Sequence, residues 1–384
     1  MKATKKSKKS LVCRQSEKNI DKSHVTVEPI LVLQQGEGAT TTVKRINTPS
    51  APPQVYLITQ TLYEQLRFLN TLPNHPLKIP RQDKISKIED ELRKRITNCF
   101  KGMSVIVESV QFREYCDNIV SLTNRAKQTT PEALVISTAP LLVYETNGEC
   151  LQLNRLIDLD GNIIGIGPRP GNPPIEAQLQ LMGSKVRGRQ VIVIEDGSFT
   201  GNSLRFVLKK LKTLCAKVET IILGVLFPQA ESMIQKIFNG EIICVKRLSN
   251  PRDWMPSHDF FPFIPNSGRV LGYRLNGYCV PVYLHNHSSL SVPYILPFTK
   301  KPEEWAGLSS NRTEVEALSR FCLDCVREIF SEMESLNHRV IRIDDLVQSY
   351  PRTSIPVSLR PELHNAPGLS TRVVDYLHQE KYLF

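Results

Sequence analysis

No run of eighteen apolar residues occurs anywhere in this chain of 384 residues, so nothing in it reads as a membrane-spanning helix. No hydrophobic segment follows the basic N-terminus, so no secretory leader is read there. The expectation is a soluble, unexported protein of the cytoplasm with no membrane partner. A disulfide framework is missing as well: the nine cysteines are an odd number and lie scattered, which fits reduced thiols. Cys322-x-x-Cys325 is the one close pair. No second pair or histidine stands at zinc spacing, and both thiols fall on one helical face, so they read as buried core rather than a metal site.

Acids are outnumbered, 38 against 49 lysines and arginines, giving a formal charge of +11. The excess is uneven. Lys2, Lys5, Lys6, Lys8 and Lys9 open the chain, and Arg14, Lys18 and Lys22 follow. Such a segment buries no apolar surface, so residues 1–50 are expected to be a largely disordered tail and linker that holds one short strand, Val25 to Leu33. Ser50-Ala51-Pro52-Pro53 marks its end. Two uses are open for the tail: contact with nucleic-acid phosphates, with salt-sensitive and sequence-independent affinity, or solubility alone.

Residues 51–130 read as mostly helical. Tyr56 to Leu72 is one candidate helix, and Asp83 to Phe100 is another, with Ile85, Ile88, Leu92 and Ile96 on a single face. Met103 to Val110 is a strand, and Phe112, Tyr115, Ile119 and Leu122 continue as a helix. Strands dominate residues 131–300, alternating with helices as a parallel sheet requires. Residues 301–384 return to helix, opening on a Thr313-x-x-Glu316 capping box, with a short strand at Arg339 to Ile343 and a last helix near Val373 to Leu377. That segment is large enough to pack on the core, form a homodimer or hold a partner.

The stretch Val191-Ile192-Val193-Ile194-Glu195-Asp196-Gly197-Ser198-Phe199-Thr200-Gly201-Asn202-Ser203-Leu204 organises the rest. Four β-branched residues in a row predict a strand buried on both faces. Two acids follow, expected at the strand end and facing solvent. From Leu204 the period becomes helical through Val207, Leu208, Leu211 and Cys215. A strand, a tight loop and a helix N-terminus make an anion site, because the first helical N–H groups lack partners. Two carboxylates beside a phosphate would repel it unless they hold something else, such as sugar hydroxyls or a magnesium shell.

This stretch resembles the signature of the type I phosphoribosyltransferases: an apolar strand, two acids, three variable residues, then Thr-Gly and a small pair. The preceding Gly188-Arg189-Gln190 is similar to the short turn that family places before this strand. The resemblance implies an α/β, parallel-sheet, Rossmann-like core with flanking helical segments. It implies that Glu195 and Asp196 bind the ribose hydroxyls of phosphoribosyl pyrophosphate. Ser198, Phe199, Thr200, Gly201, Asn202 and Ser203 would hold its 5′-phosphate, with Mg2+ arriving on the ligand. The activity implied is transfer of phosphoribosyl to a nitrogen base with release of pyrophosphate. A non-catalytic relative that keeps the site as a sensor is the competing reading.

The same residues also resemble the first motif of the Rossmann methyltransferases, with Phe199 in place of a glycine. That fold wants an acid ending the next strand, and Val225-Leu226-Phe227-Pro228 offers none.

By the same resemblance, Ser137 and Thr138, which follow the short strand Ala133 to Ile136, would serve the pyrophosphate, although no glycine, arginine or lysine accompanies them. Leu156 to Gly167 reads as a hairpin turning at Asp160-Gly161. Gly165 to Gly171 carries Arg169 and is either a closing loop, with Arg169 stabilising the departing pyrophosphate, or a rigid connector. Asp253 to Pro265 holds four of the sixteen Phe and Trp residues among prolines and is expected to be neither helix nor strand. It is either a hood that stacks on a base or packing that anchors a loop. His258 and Asp259 within it are candidates for proton transfer or for a structural pair.

Overall fold

The computed structural model describes residues 52–72, 76–158, 160–169, 172–275, 278–282, 291–292, 306–308, 311–346 and 370–380. The basic tail, its expected strand and the Pro170-Gly171 part of the loop after Arg169 lie outside the described residues.

Three sheets are built in chain order from β1 (Gln54–Gln60), β2 (Val105–Gln111), β3 (Leu134–Ser137), β4 (Glu149–Cys150), β5 (Leu153–Ile157), β6 (Ile163–Pro168), β7 (Gln190–Ser198), β8 (Lys217–Leu226), β9 (Glu241–Arg247), β10 (Pro251–Pro256), β11 (Arg269–Leu275), β12 (Tyr278–Pro281) and β13 (Ser291–Val292). The main sheet has the order β4-β3-β7-β8-β9, and every pair in it is parallel. The protein is thus α/β with a parallel sheet. A second parallel sheet has the order β10-β1-β2. The third is mixed: β5 and β6 form the expected hairpin, β11 runs parallel to β5, and β12 and β13 return antiparallel to β11. At the hairpin turn, Asp158 Oδ1 accepts from the backbone N–H groups of Asp160 at 3.0 Å and Asn162 at 2.8 Å.

The helices are α1 (Leu62–Leu66), α2 (Gln82–Cys99), α3 (Phe112–Thr129), α4 (Pro140–Thr146), α5 (Ile175–Val186), α6 (Asn202–Thr213), α7 (Pro228–Gln235), α8 (Arg312–Asn337) and α9 (Val373–Glu380). In β7, successive side chains alternate between faces. Val191 and Val193 pack with Leu179 of α5, Leu204 and Val207 of α6 and Ile234 of α7. Ile192 and Ile194 pack with Tyr115 and Ile119 of α3 and Leu142 of α4. Both faces are covered, which is why the strand reads as an unbroken apolar run. Among the described residues no helix is long and apolar enough to cross a membrane.

The segment expected as a helix over Tyr56 to Leu72 is instead β1 followed by the short α1. Tyr56 and Ile58 face one core and Leu57 the other, so the period of two is hidden in a run that also fits a helix. Asp253 to Pro265 also departs from expectation, because its first residues form β10. Its prolines are tolerated because β10 is an edge strand, where a missing N–H leaves no ladder partner unsatisfied. The cap of α8 is Asn311, whose side chain accepts from the Glu314 N–H, rather than Thr313, which lies inside the helix. Arg342 makes a single bridge to Arg372 where a strand over Arg339 to Ile343 was expected, and a 3-10 turn follows at Ile343–Leu346.

Residues 51–384 hold together as one compact unit. The divisions expected near 130 and 300 run through it. β1 pairs with β10, and α8 buries Val326, Ile329 and Phe330 in the same core as Ile85 and Leu92 of α2 and Tyr56 of β1. Cys322 and Cys325 are buried in that core, as their helical spacing predicts.

Candidate functional site

The chain's route through the main sheet fixes where a ligand fits. From β3 the chain passes over α4 to β4 on one side, whereas from β7 it passes over α6 and α7 to β8 and β9 on the other. The covering helices accordingly sit on opposite faces. At such a reversal the loops leaving β3 and β7 diverge, and a crevice opens at the carboxyl ends of the two strands. An open cleft of about 1200 Å3, counting the solvent space at its mouth, lies there.

Glu195, Asp196 and Gly197 line it from β7, and Phe199 and Ser203 from the loop and α6. The acids differ from expectation in one respect. They lie within the paired part of β7, with Glu195 beside Leu223 and Gly197 beside Val225, because the strand runs on to Ser198. They therefore face a buried cleft rather than bulk solvent. Glu195 is 7% exposed, and its Oε2 has no hydrogen-bond partner. Burial, and after it the neighbouring Asp196 charge, pushes the Glu195 carboxyl up to about 8, with Arg155 and a hydrogen bond from Ser198 pulling the other way. Burial also raises Asp196, opposed first by Arg169. Asp196 Oδ1 accepts from the Gly197 N–H at 2.9 Å. Its carbonyl accepts from the Tyr115 hydroxyl.

The N-terminus of α6 is uncapped. Gly201 occupies its cap position with φ of 76°, no side chain caps the first turn, and no acid lies in it. The positive φ favours glycine there, and a Cβ at Gly201 would also push aside the end of the Met233 side chain. Ser203 borders the cleft. Thr200, Gly201, Asn202 and Ser198 do not line it. Thr200 Oγ1 accepts a long 3.4 Å bond from the Asn202 N–H.

Of the two residues expected after β3, Thr138 borders the cleft and Ser137 does not. Ser137 is fully buried, its hydroxyl accepting from the Ala139 N–H at 3.1 Å and donating to the Ala139 carbonyl at 3.0 Å. Arg169 does reach the cleft. Its N–H donates to Gln152 O at 3.1 Å and its Nη1 to Asn266 O at 3.2 Å, while its Nε is buried without a partner. These two bonds hold Arg169 in place.

The opposite wall combines the Asp253–Pro265 segment with strands the sequence did not point to. β1 and α1 supply Thr59, Thr61 and Gln65; β10 supplies Asp253, Trp254 and Met255; β5 and β11 supply Arg155 and Arg269. The available signal was a charged residue inside an apolar strand, Leu153-Asn154-Arg155-Leu156-Ile157. Trp254 Nε1 donates to Thr59 Oγ1 at 2.8 Å. Phe260, Phe261 and Phe263 are buried in the core and do not line the cleft, so of the four aromatics only Trp254 is placed to meet a ligand.

His258 and Asp259 also border the cleft. His258 Nδ1 lies 2.7 Å from Thr61 Oγ1, and its Nε2 lies 3.6 Å from Asp259 Oδ1. Burial, then the Arg169 charge, lowers His258 to about 3, so its imidazole is neutral near neutral pH. Asp259 is raised to about 7 by burial while its Oδ1 accepts from the Gly268 N–H at 2.9 Å. For the methyltransferase-like reading the decisive neighbour is β8, whose last residues Val225 and Leu226 are buried and apolar, as is Phe227 after them. No acid stands there to hold a cofactor ribose.

No family model matches the chain, and no curated protein matches it. Solved structures match about a third of the chain. Adenine phosphoribosyltransferase from Thermoanaerobacter pseudethanolicus is 14% identical, over 34% of this chain and 79% of its own, with a TM-score of 0.25. Purine phosphoribosyltransferase from Pyrococcus horikoshii is 14% identical, over 37% and 87%, also at 0.25. Orotate phosphoribosyltransferase from Mycobacterium tuberculosis is 16% identical, over 34% and 69%, at 0.23. At such scores the superposition is loose, and the functional reading rests on the cleft itself.

Proposed function

We propose that the cleft binds phosphoribosyl pyrophosphate and transfers its phosphoribosyl group to a nitrogen base. One observation carries this reading: a buried Glu195 oxygen without a partner, beside Asp196, in a cleft that Ser203 of the uncapped first turn of α6 also borders. A buried polar atom with no partner is costly, and a sugar hydroxyl would satisfy it. The α6 N–H groups and Ser203 would take the 5′-phosphate, and Glu195 and Asp196 the ribose hydroxyls. Thr138 and Arg169 would face the leaving group.

In the transfer, the C1–O bond to pyrophosphate breaks and a C1–N bond to the base forms. The leaving oxygen keeps the electron pair, and the base gives up its N–H proton. The residues contribute by positioning the two reactants and by stabilising charge on the leaving oxygens, which is Arg169's role. Neutral His258 and the raised Asp259 border the same cleft, 3.6 Å apart.

Magnesium fits this donor set as part of a ligand. Among the described residues no three metal-binding side chains converge, yet Glu195 and Asp196 can complete the shell of an ion held mainly by ligand oxygens. Bound there, it would neutralise charge on the pyrophosphate.

One observation favours a second reading, a sensor that binds without transferring. The Thr138-Ala139-Pro140 turn carries neither a cation nor a glycine, and Ser137 is spent inside it. Calorimetry with ribose 5-phosphate and with phosphoribosyl pyrophosphate plus magnesium tests binding, and pyrophosphate release across a panel of bases tests transfer. Binding without release for any base supports the sensor. Absence of binding to either ligand overturns both readings.

A further inference from the structure

Arg155 and Arg269 stand side by side in the wall of the cleft. β11 runs parallel to β5 with Val270 beside Leu156 and Leu271 beside Ile157, and Arg269 and Arg155 are the residues that immediately precede these pairs on the two strands. Both side chains line the cleft, so they share a face of the sheet. Neighbouring strands are about 4.8 Å apart, and like charges directly opposite one another destabilise a sheet. Arg269 is nevertheless only 4% exposed. A buried guanidinium and a half-buried one lining the same cleft need an anion near them.

The protein supplies one, from another sheet. The Asp253 carboxyl of β10 is influenced by both Arg269 and Arg155. Asp253 cannot swing away: its Oδ1 accepts from the Trp254 N–H at 2.8 Å, and a Cβ on Gly307 behind it would stand 2.5 Å from its Oδ2. Asp259 also acts on Arg269, and Glu195 and Asp196 feel Arg155. Burial raises Glu195 and Asp259, which disfavours the charge that these two acids could set against the arginines. Arg169 is committed elsewhere, tied to Asn266 O and acting on Asp196, His258 and Asp259. Trp254, the residue after Asp253, adds aromatic surface to the same wall.

We propose that the Arg155–Arg269 pair, with Trp254, receives an acidic group on the acceptor, so that the acceptor is a planar nitrogen heterocycle bearing a carboxylate or a comparable anion. This rests on the ribose-phosphate reading of the same cleft. Asp253 acts as an internal rival that shares the guanidiniums with the ligand and keeps neutral rings from being preferred. Paired guanidiniums are suited to this because each offers a planar fork of donors to a carboxylate.

The test uses the full chain saturated with ribose 5-phosphate and two matched pairs of probes, orotate against uracil and nicotinate against nicotinamide. Within each pair only the acidic group separates charged from neutral. Calorimetry should show an acid binding about tenfold or more tightly than its neutral partner, the scale of one charge-assisted contact. Arg269→Gln should erase that preference. Asp253→Asn should increase it, because the rival charge is gone, and this gain is an outcome that a merely structural role for Asp253 would not produce. Equal affinity for acid and neutral probes in the wild-type protein overturns the proposal, as does loss of pyrophosphate binding in Arg269→Gln with the acid preference intact. Failure of the wild type to bind ribose 5-phosphate would instead refute the underlying reading.

Discussion

The ring of Trp254 lies against Gly197: a Cβ built on Gly197 would stand 2.6 Å from its Cε3 and Cζ3. One glycine hydrogen thus sets how closely β10 approaches the acid pair on β7. With Trp254 Nε1 bound to Thr59 Oγ1, the contact joins the two parallel sheets across the cleft.

Gly197→Ala should therefore damage both stability and the site. Overpacking of this kind costs about 1–3 kcal/mol, and the displaced indole would carry Asp253 with it. Chemical denaturation should register the loss, and affinity for ribose 5-phosphate should fall beyond what partial unfolding explains. A Gly197→Ala protein of wild-type stability and affinity would show that the indole has room to move.

A pH dependence follows from Glu195. Its folded pKa of about 8 lies above the ordinary value of 4.5, so folding favours its protonated form. The associated stability is fully present below the ordinary value and is lost as pH rises towards 8, each unit being worth about 1.4 kcal/mol before relaxation is allowed for. Glu89 and Asp259, both raised to about 7, act in the same direction. Melting temperatures of the ligand-free protein should fall between pH 5 and 8, and Glu195→Gln should flatten part of that fall. A ribose hydroxyl donating to the carboxylate would ionise it, so binding near pH 7 should release a proton, seen by calorimetry in buffers of different ionisation enthalpy.

The acid pair itself gives a direct test. Glu195→Gln with Asp196→Asn should sharply weaken phosphoribosyl pyrophosphate binding while the fold survives, because both substitutions are close in shape. Removing a buried charge should if anything raise stability above pH 7. Unchanged affinity in the double variant would remove these residues from the site.

Thr200 and Ser203 separate capping from phosphate binding. A lost cap costs about 0.5–2 kcal/mol, but α6 has no side-chain cap and the Thr200 bond is long. Thr200→Ala and Ser203→Ala should therefore leave the ligand-free melting temperature nearly unchanged. The shift produced by ribose 5-phosphate should shrink, more at Ser203, which borders the cleft, than at Thr200, which does not.

Deleting residues 1–24 tests the basic tail. If it touches nucleic acid, affinity for duplex or RNA should fall and its salt dependence flatten. Equal binding with and without the tail across a salt series would leave it a solubilising segment.

Half of the cleft was legible in the sequence and half was not, for a physical reason. The β7-to-α6 side is local: strand, acids, glycine cap and helix follow one another within fifteen residues, so their chemistry is written in order. Arg155, Asp253 and Arg269 come from three strands, and nothing in the sequence around each says that the others face it. β1 was misread because Tyr56, Leu57 and Ile58 are all buried, which erases the alternation that marks a strand. The Ser137 hydroxyl is engaged in a tight turn with Ala139, a use of a small hydroxyl after a strand that the sequence does not separate from a ligand role.

The pairing of β1 with β10 has a consequence for how the molecule comes into being. Thr59 and Trp254 are 195 positions apart, so their contact closes one of the longest loops in the chain. Such contacts form late, since the entropy of closure is lost before they return anything. During synthesis the acid pair leaves the ribosome well before β10 exists, with its buried charges still open to water and its future wall unmade. A chain stalled before residue 251 would carry the β7 acids and α6 but lack the Trp254 wall that faces them.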